Sequence, residues 1–431
     1  MTRTRKRCAI VGVGHRAHSW LDGIVNRHPA TAELAALCDP YVERCRDANA
    51  AYGVAAAVYT DYDRLLAEAK PDLVIVTSPE RFHREHIVKA LDAGCAVATE
   101  KPLCLTMEDA RAILEAERRA GRPIFMAFNY RHIPLCSKIR ELIRNGAIGR
   151  PVSMDLTWYL DYKGHGASYF RRWHRRMRES GGLLITKACH HFDLANWWMD
   201  DVPETVFAFG ARRFFGAGHN PYQGERCSTC SHAAQCQWYT DVCVTNRTEE
   251  LSRELGYRVK GVRGYIRDYC PFGDDVDIYD TMAVCVRYRN GGLLSYSLNA
   301  SVPFEGWNLA INGTKGRLES KITDAKPAAS WVPKDWRRDY QGQTVEWPGE
   351  YRVFVMPHDA EACELTVPNI AEGHGGGDFR MMAALLGGGT ESLADPLGVF
   401  ASARDGALSI AIGDAANRAA ASAQVVQLGD W

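Results

Sequence analysis

The chain has 431 residues, 46% of them hydrophobic and 24% charged, and its 52 basic and 52 acidic side chains cancel to a formal net charge of zero. That length suits two domains with a sizeable core, and the charge balance speaks against a nucleic-acid binder, which carries a basic excess. No apolar run reaches the roughly 20 residues that span a bilayer, so no membrane partner is expected. The basic start (Arg3, Arg5, Lys6, Arg7) leads only into Cys8 to Val13, too short for a signal-peptide core. A cytoplasmic location with reduced thiols is the expectation.

The first element, CAIVGVG, reads as a short buried strand ending in glycine, and HRAHSWLDGIVNRH after it reads as an amphipathic helix. The junction is Gly12-x-Gly14-x-x-Ala17, the form of a dinucleotide-binding turn. Gly12 permits the tight turn, Gly14 lets backbone approach a pyrophosphate, and Ala17 allows close helix–strand packing. A second strand, AELAALCD, ends in Asp39, placed to take ribose hydroxyls and to favour NAD over NADP. Strands DLVIVTSP (72–79) and CAVATEKP (95–102) follow, with helical stretches between. Alternating strands and helices predict a parallel doubly wound sheet, and residues 1–127 are assigned to this NAD-binding Rossmann domain.

From residue 128 the pattern changes. PVSMDLTWYL and ETVFAFGARR read as strands, and TMAVCVRYRNGGLLSYSLNAS reads as a hairpin about Asn290-Gly291. NLAINGTKGRLES reads as another hairpin, residues 321–370 read as loop, and ARDGALSIAIGDAANRAAASA reads as a late helix. Residues 128–431 are therefore expected to form an α/β domain with a mainly antiparallel sheet and a Cys-rich insertion at about 215–275.

The segments VGVGHRAH, TSPERFHREH, EKPLCLT, FNYRHIP and GGLLITKACHHFDLANWW, with the two later hairpins, resemble the glucose-fructose oxidoreductase / inositol dehydrogenase (Gfo/Idh/MocA) family. The resemblance covers nearly everything outside roughly 215–275 and 321–370, and Glu100-Lys101-Pro102 is its most specific short signal. It implies a Rossmann domain followed by an open-faced antiparallel sheet, NAD as cofactor, a sugar or cyclitol substrate, and homo-oligomers packed through the open sheet face. Through it, His15, Arg16, Thr77, Ser78, His83 and Glu100 join Gly12, Gly14, Asp39 and Lys101 as cofactor-binding candidates. Asn129, Arg131, Arg172 and Trp173 join the substrate-side candidates.

In GGLLITKACHHFDLANWW, Lys187, His190 and Asp193 are spaced three apart and fall near one face of a helix. A histidine has the right intrinsic pKa to take a hydroxyl proton, and a nearby lysine can be tuned into range. An ordinary Lys187–Asp193 ion pair is the competing reading. The family pattern places an acid four residues before the histidine, where this chain has Thr186. His190 carries over as base or substrate ligand, Lys187 stands in for the missing acid, and Lys101 is the second active-site residue. His374 and Asp378, in EGHGGGDFR, could reach a sugar or merely begin a helix. The run RRWHRRMRES reads as a solvated face or as an anion holder.

Five of the 14 cysteines crowd between Cys227 and Cys270. Cys-x2-Cys with further thiols nearby predicts a structural zinc on Cys227, Cys230, Cys236 and Cys270, with Cys243 or His232 as substitutes. The function expected is hydride transfer from a ring hydroxyl of a sugar, cyclitol or glycoside to NAD. The alternative is an NAD-dependent glycoside hydrolase that oxidises, eliminates, hydrates and reduces with retained NADH, on an anionic glycoside such as a sulfoquinovoside. A cofactor-binding sensor is a third option, disfavoured by Lys101 and His190.

Overall fold

A computed structural model describes residues 5–240, 268–324, 350–370, 374–387 and 395–431. Six parallel strands, β1 (Lys6–Val11), β2 (Ala32–Cys38), β3 (Ala57–Tyr59), β4 (Leu73–Val76), β5 (Ala96–Thr99) and β6 (Ile124–Met126), lie in the order β6-β5-β4-β1-β2-β3. Cys8 to Val11 and Leu73 to Val76 are buried throughout, as befits central strands covered by helices on both faces. The order reverses between β1 and β4, and ligands of doubly wound sheets bind in that crevice. The three-residue β3 escaped the sequence reading because it is short and only partly buried.

The second sheet has nine strands. They are β7 (Pro151–Asp161), β8 (Pro203–Ala211), β9 (Thr281–Tyr288), β10 (Leu293–Val302), β11 (Glu305–Gly313), β12 (Gly316–Asp324), β13 (Glu350–Pro357), β14 (Cys363–Pro368) and the two-residue β16 (Val426–Gln427). The order is β14-β13-β12-β11-β7-β10-β9-β8-β16, antiparallel except where β7 meets β10. Both predicted hairpins are present. The stretch expected as loop contains β13 and β14. Their alternation is plain in EYRVFVMP, where Tyr351, Val353 and Val355 point into the core, but it is flanked by residues of low periodicity.

One face of this sheet packs on helices. Helix Ala188–Met199 is buried along all twelve residues, so any polar side chain on it must find a partner or a ligand. Among the described residues the other face is uncovered and presents Phe209, Leu293 and Phe354.

The late part of the chain returns to the first sheet. Met381, Met382, Leu385 and Leu386 of helix Gly377–Leu386 cluster with Trp20, Leu21 and Ile24, and β15 (Ala401–Ser402) pairs antiparallel with β6. The final helix, Ala403–Ser422, starts with a capping box formed by Ser402 and Asp405. These returns fix the cleft between the sheets, with residues from both halves on each wall.

Candidate active site

The glycine turn closes β1 over the crevice. Gly12 has φ +89°, and a Cβ there would lie 2.5 Å from the Ser78 backbone, so only glycine fits. Gly14 differs. Its φ of −100° is ordinary, and a Cβ would meet nothing within 4 Å. It caps helix His15–Asp22 without any side-chain cap, leaving first-turn N–H groups to a ligand. Asp39, buried at the end of β2, accepts N–H bonds from Val13 (2.8 Å) and Tyr41 (2.9 Å). A carboxylate has about four acceptor positions, so Asp39 keeps capacity for ribose hydroxyls. An open helix end, an approachable Gly14 and an acid after β2 fit a dinucleotide.

The other candidates on this side build the walls. Thr77 donates its hydroxyl to the Gly12 carbonyl at 2.6 Å, Ser78 Oγ meets His86 Nδ1 at 2.9 Å, and the His83 ring bridges the Pro102 and Ser78 carbonyls. His15 opens the first helix. Arg16 donates to Glu100 Oε1 (2.7 Å) and to Asp378 Oδ1 (2.6 Å), and Trp20 Nε1 donates to the same Glu100 oxygen. Asp378 also accepts from Asn129 Nδ2 (2.8 Å) and pairs with His374 Nδ1 (2.6 Å). Arg16, Asn129, His374 and Asp378 therefore form one network that ties helix Gly377–Leu386 to the nucleotide turn.

At the cleft floor the expected single helix breaks. Leu183–Thr186 and Ala188–Met199 are separate, and Lys187 sits at the joint with φ −110°. This break turns Lys187 away from the Asp193 face. Lys101 Nζ donates to the Thr186 carbonyl at 2.8 Å, and the Thr186 hydroxyl is engaged with the Gly182 carbonyl. Lys187 Nζ donates to the Tyr130 hydroxyl at 2.9 Å and lies 5.3–5.4 Å from the ring centres of Tyr130 and Trp158.

His190 stacks on Tyr130 with centroids 4.1 Å apart and planes 9° apart. Its Nδ1 is buried without a hydrogen-bond partner. Among its helix neighbours, His191 Nδ1 meets Tyr296 (2.7 Å), Asn196 Oδ1 accepts from Tyr288 (3.0 Å), and Asp193 accepts a fork from Arg131 (2.9 and 2.6 Å), while His191 Nε2 and Asn196 Nδ2 are likewise buried without a partner among the described residues. Arg131 also donates to the Gly398 carbonyl and pairs with Asp405 at 3.0 Å, so Arg131 joins Asp193 to the start of the final helix. Burial first, then the nearby Lys101 and Lys187, hold His190 well below the usual imidazole range. Burial likewise lowers Lys101, with Lys187 adding repulsion against the partial compensation of Cys189.

Tyr130, Glu80 and Glu305 were not picked out from sequence. Tyr130 lies in the FNYRHIP segment between two candidates, and only its stacking reveals it. Glu80 accepts Trp173 Nε1 (2.8 Å) and His174 Nε2 (2.7 Å), latching the first domain to the second.

The arginine run is turned into the fold. Arg171 donates to the Trp238 carbonyl (2.6 Å), Arg172 to Ser168, and Arg175 and Arg176 to Asp275. Its guanidinium groups bind the fold together, and the expectation of an anion holder finds no support.

Cys227, Cys230, Cys236 and Cys270 do line one small cavity, about 10 Å³, together with Trp238 and Tyr222. Yet among the described residues no three His, Cys, Asp or Glu side chains are disposed to hold one ion. The expected zinc staple finds no support among the described residues, where a bridge between Arg226 and Tyr269 and aromatic packing about Trp238 hold the segment. His232 lies in that segment and Cys243 lies outside the described residues. Among the described residues no helix is long and apolar enough to cross a membrane.

Residues 6–128 match the model of an oxidoreductase family's NAD-binding Rossmann fold, and residues 140–428 match that family's C-terminal alpha/beta domain. A Bacillus subtilis protein named as an oxidoreductase, YteT, is 38% identical over 364 residues, covering 82% of this chain and 80% of that one. The D-glucoside 3-dehydrogenase of Escherichia coli is 32% identical over 198 residues, 45% of this chain and 54% of that protein. In structure the chain resembles a levoglucosan dehydrogenase in complex with NADH, with TM-score 0.67 at 18% identity over 99% of this chain and 100% of that one.

Proposed function

The chain belongs to the Gfo/Idh/MocA family of NAD-binding oxidoreductases, and from that premise we propose that it oxidises a ring hydroxyl of a sugar, cyclitol or glycoside. The observation that carries this reading is His190, stacked on Tyr130 whose hydroxyl holds Lys187, with Lys101 and Lys187 the charges that act most on it.

The chemistry follows from the protonation states. NAD, when bound, supplies the acceptor for the carbinol hydrogen as hydride. His190 is a free base at neutral pH because burial and two amines disfavour its cation, and it takes the hydroxyl proton. Lys101 and Lys187 hold the same oxygen and stabilise the charge that develops as the proton leaves. Tyr130 orders this set: its ring supports His190 and its oxygen anchors Lys187. Lys187 thus occupies the corner where the family pattern has a carboxylate, and the base works beside a cation.

The hydrolytic alternative rests on Thr186 and His374, whose Oγ1 and Nδ1 are engaged with Gly182 and Asp378. An anionic glycoside rested on the arginine run, in which Arg175 and Arg176 pair with Asp275. The test is stoichiometry with a panel of inositols, free sugars and aryl glycosides. One NADH per carbonyl product supports the reading, whereas phenol release from aryl glycosides without accumulating NADH overturns it. The uncovered sheet face with Phe209, Leu293 and Phe354 supports a homo-oligomer packed there; light scattering of the Phe209→Asp variant, expected to dissociate, tests it.

A further inference from the structure

One polar cluster in the cleft plays no part in the hydride chemistry. Glu305 begins β11, and its Oε1 meets His165 Nδ1 at 2.6 Å. The other ring nitrogen of His165 meets the Tyr169 hydroxyl at 3.2 Å. With a carboxylate on Nδ1, the ring donates there and accepts from Tyr169 through Nε2. This fixes the carboxyl group from one side. The second carboxyl oxygen, Glu305 Oε2, is buried and has no hydrogen-bond partner.

Two residues after Glu305, Trp307 pairs with Trp158 of β7, whose ring lies 5.4 Å from Lys187 Nζ, so the cluster borders the catalytic groups. Lys187 and His374 are the charges that act most on Glu305, and Glu305 in turn acts on Tyr130 and Tyr169. Beside the oxidising groups is therefore a carboxyl group with one oxygen unmatched among the described residues. An acceptor of this kind binds hydroxyl donors and repels carboxylates or sulfonates.

We infer that Glu305, held by His165 and Tyr169, is a specificity residue that accepts a hydroxyl of the substrate and restricts the site to neutral polyols, excluding acid sugars. The inference rests on the dehydrogenase reading and deepens it by naming the substrate class. Burial raises the Glu305 carboxyl to about 7, with Lys187 and His374 opposing. The Lys187 ammonium favours the ionised, hydroxyl-accepting form.

The test compares methyl glucoside with methyl glucuronide, a pair differing by one carboxylate, using the full chain with NAD. The wild type is expected to prefer the glucoside by about 100-fold in kcat/KM. E305Q keeps an acceptor oxygen but loses the negative charge, so the preference should shrink about 10-fold while the affinity for NADH is unchanged. An unchanged preference in E305Q with normal NADH binding overturns the inference. If the wild type forms no NADH from either compound, the dehydrogenase reading fails by itself. The inference is then read from thermal stabilisation of the NADH complex: a glucoside preference lost in E305Q upholds it, and equal stabilisation by both compounds overturns it. Should E305Q not fold, H165F, which removes the anchor and leaves the carboxyl group, carries the same measurement with a smaller narrowing.

Discussion

The arginine run ahead of the active helix and the Lys187–His190 segment within it are both cationic, and they lie close together in the chain. The fold treats them oppositely. Arg171, Arg172, Arg175 and Arg176 donate to a carbonyl, a serine and a shared aspartate, so they join loops. Lys187 has a tyrosine hydroxyl and two aromatic faces, and His190 lies flat on the same tyrosine ring. Buried nitrogens without a partner occur in both segments among the described residues, so what sets the second apart is that Tyr130 brings an amine and an imidazole together.

The sharpest way to break this comparison is to alter both segments. His190→Asn should lower kcat/KM by about 10²–10⁴-fold, the usual worth of a positioned proton acceptor, while NADH titration stays at the wild-type value. A loss under threefold would remove His190 from the chemistry. Arg131 looked like a substrate ligand in the sequence but behaves like the arginine run. Arg131→Met strands the buried Asp193 carboxylate and should cost about 3–5 kcal/mol in denaturant unfolding.

The two turn glycines extend the contrast to the nucleotide side. Gly12→Ala meets Ser78 and an unfavourable φ, and should destabilise the fold by about 1–3 kcal/mol. Gly14→Ala has room and an ordinary φ, so its melting temperature should hold while NAD affinity falls. Equal thermal loss in both would contradict the assignment of Gly14 to the ligand. A milder effect concerns pH. Burial pushes His86 and His132 down to about 4, below the roughly 6.5 of an unfolded histidine. The unfolded chain then binds more protons, so stability should be full above about 6.5 and decline toward pH 4. His132→Phe should flatten part of that decline. Smallest of all, Arg176→Ala should change stability by at most about 1 kcal/mol, since that half-exposed pair is screened.

Much of the fold was legible because its signals are local. The glycine turn, the strand–helix alternation and the Asn290-Gly291 hairpin each depend on neighbours in sequence. The strands β13 and β14 were hidden beside an aperiodic stretch, and the break at Lys187 left no compositional mark. The site was half legible. Lys101, Lys187 and His190 stood out by residue type, but their partners are set by tertiary contacts. Tyr130 lies sixty residues before His190 and Glu305 more than one hundred after His165, and nothing local announces that the first stacks on His190 or that the second meets His165. The cysteines show the converse: their spacing suggested a metal cage, and the fold gathers them around a cavity without disposing three of them about one ion.

The central claim, that a neutral His190 held between two amines removes the hydroxyl proton, is tested most directly by the pH dependence of kcat/KM in the wild type and in Lys187→Met. The free base must be present for turnover, so the wild-type rate should fall only at pH values well below the ordinary imidazole range, where His190 protonates. Removing one neighbouring cation raises the His190 pKa and should move that fall to higher pH. An acid limb at the same pH in both proteins would contradict the account.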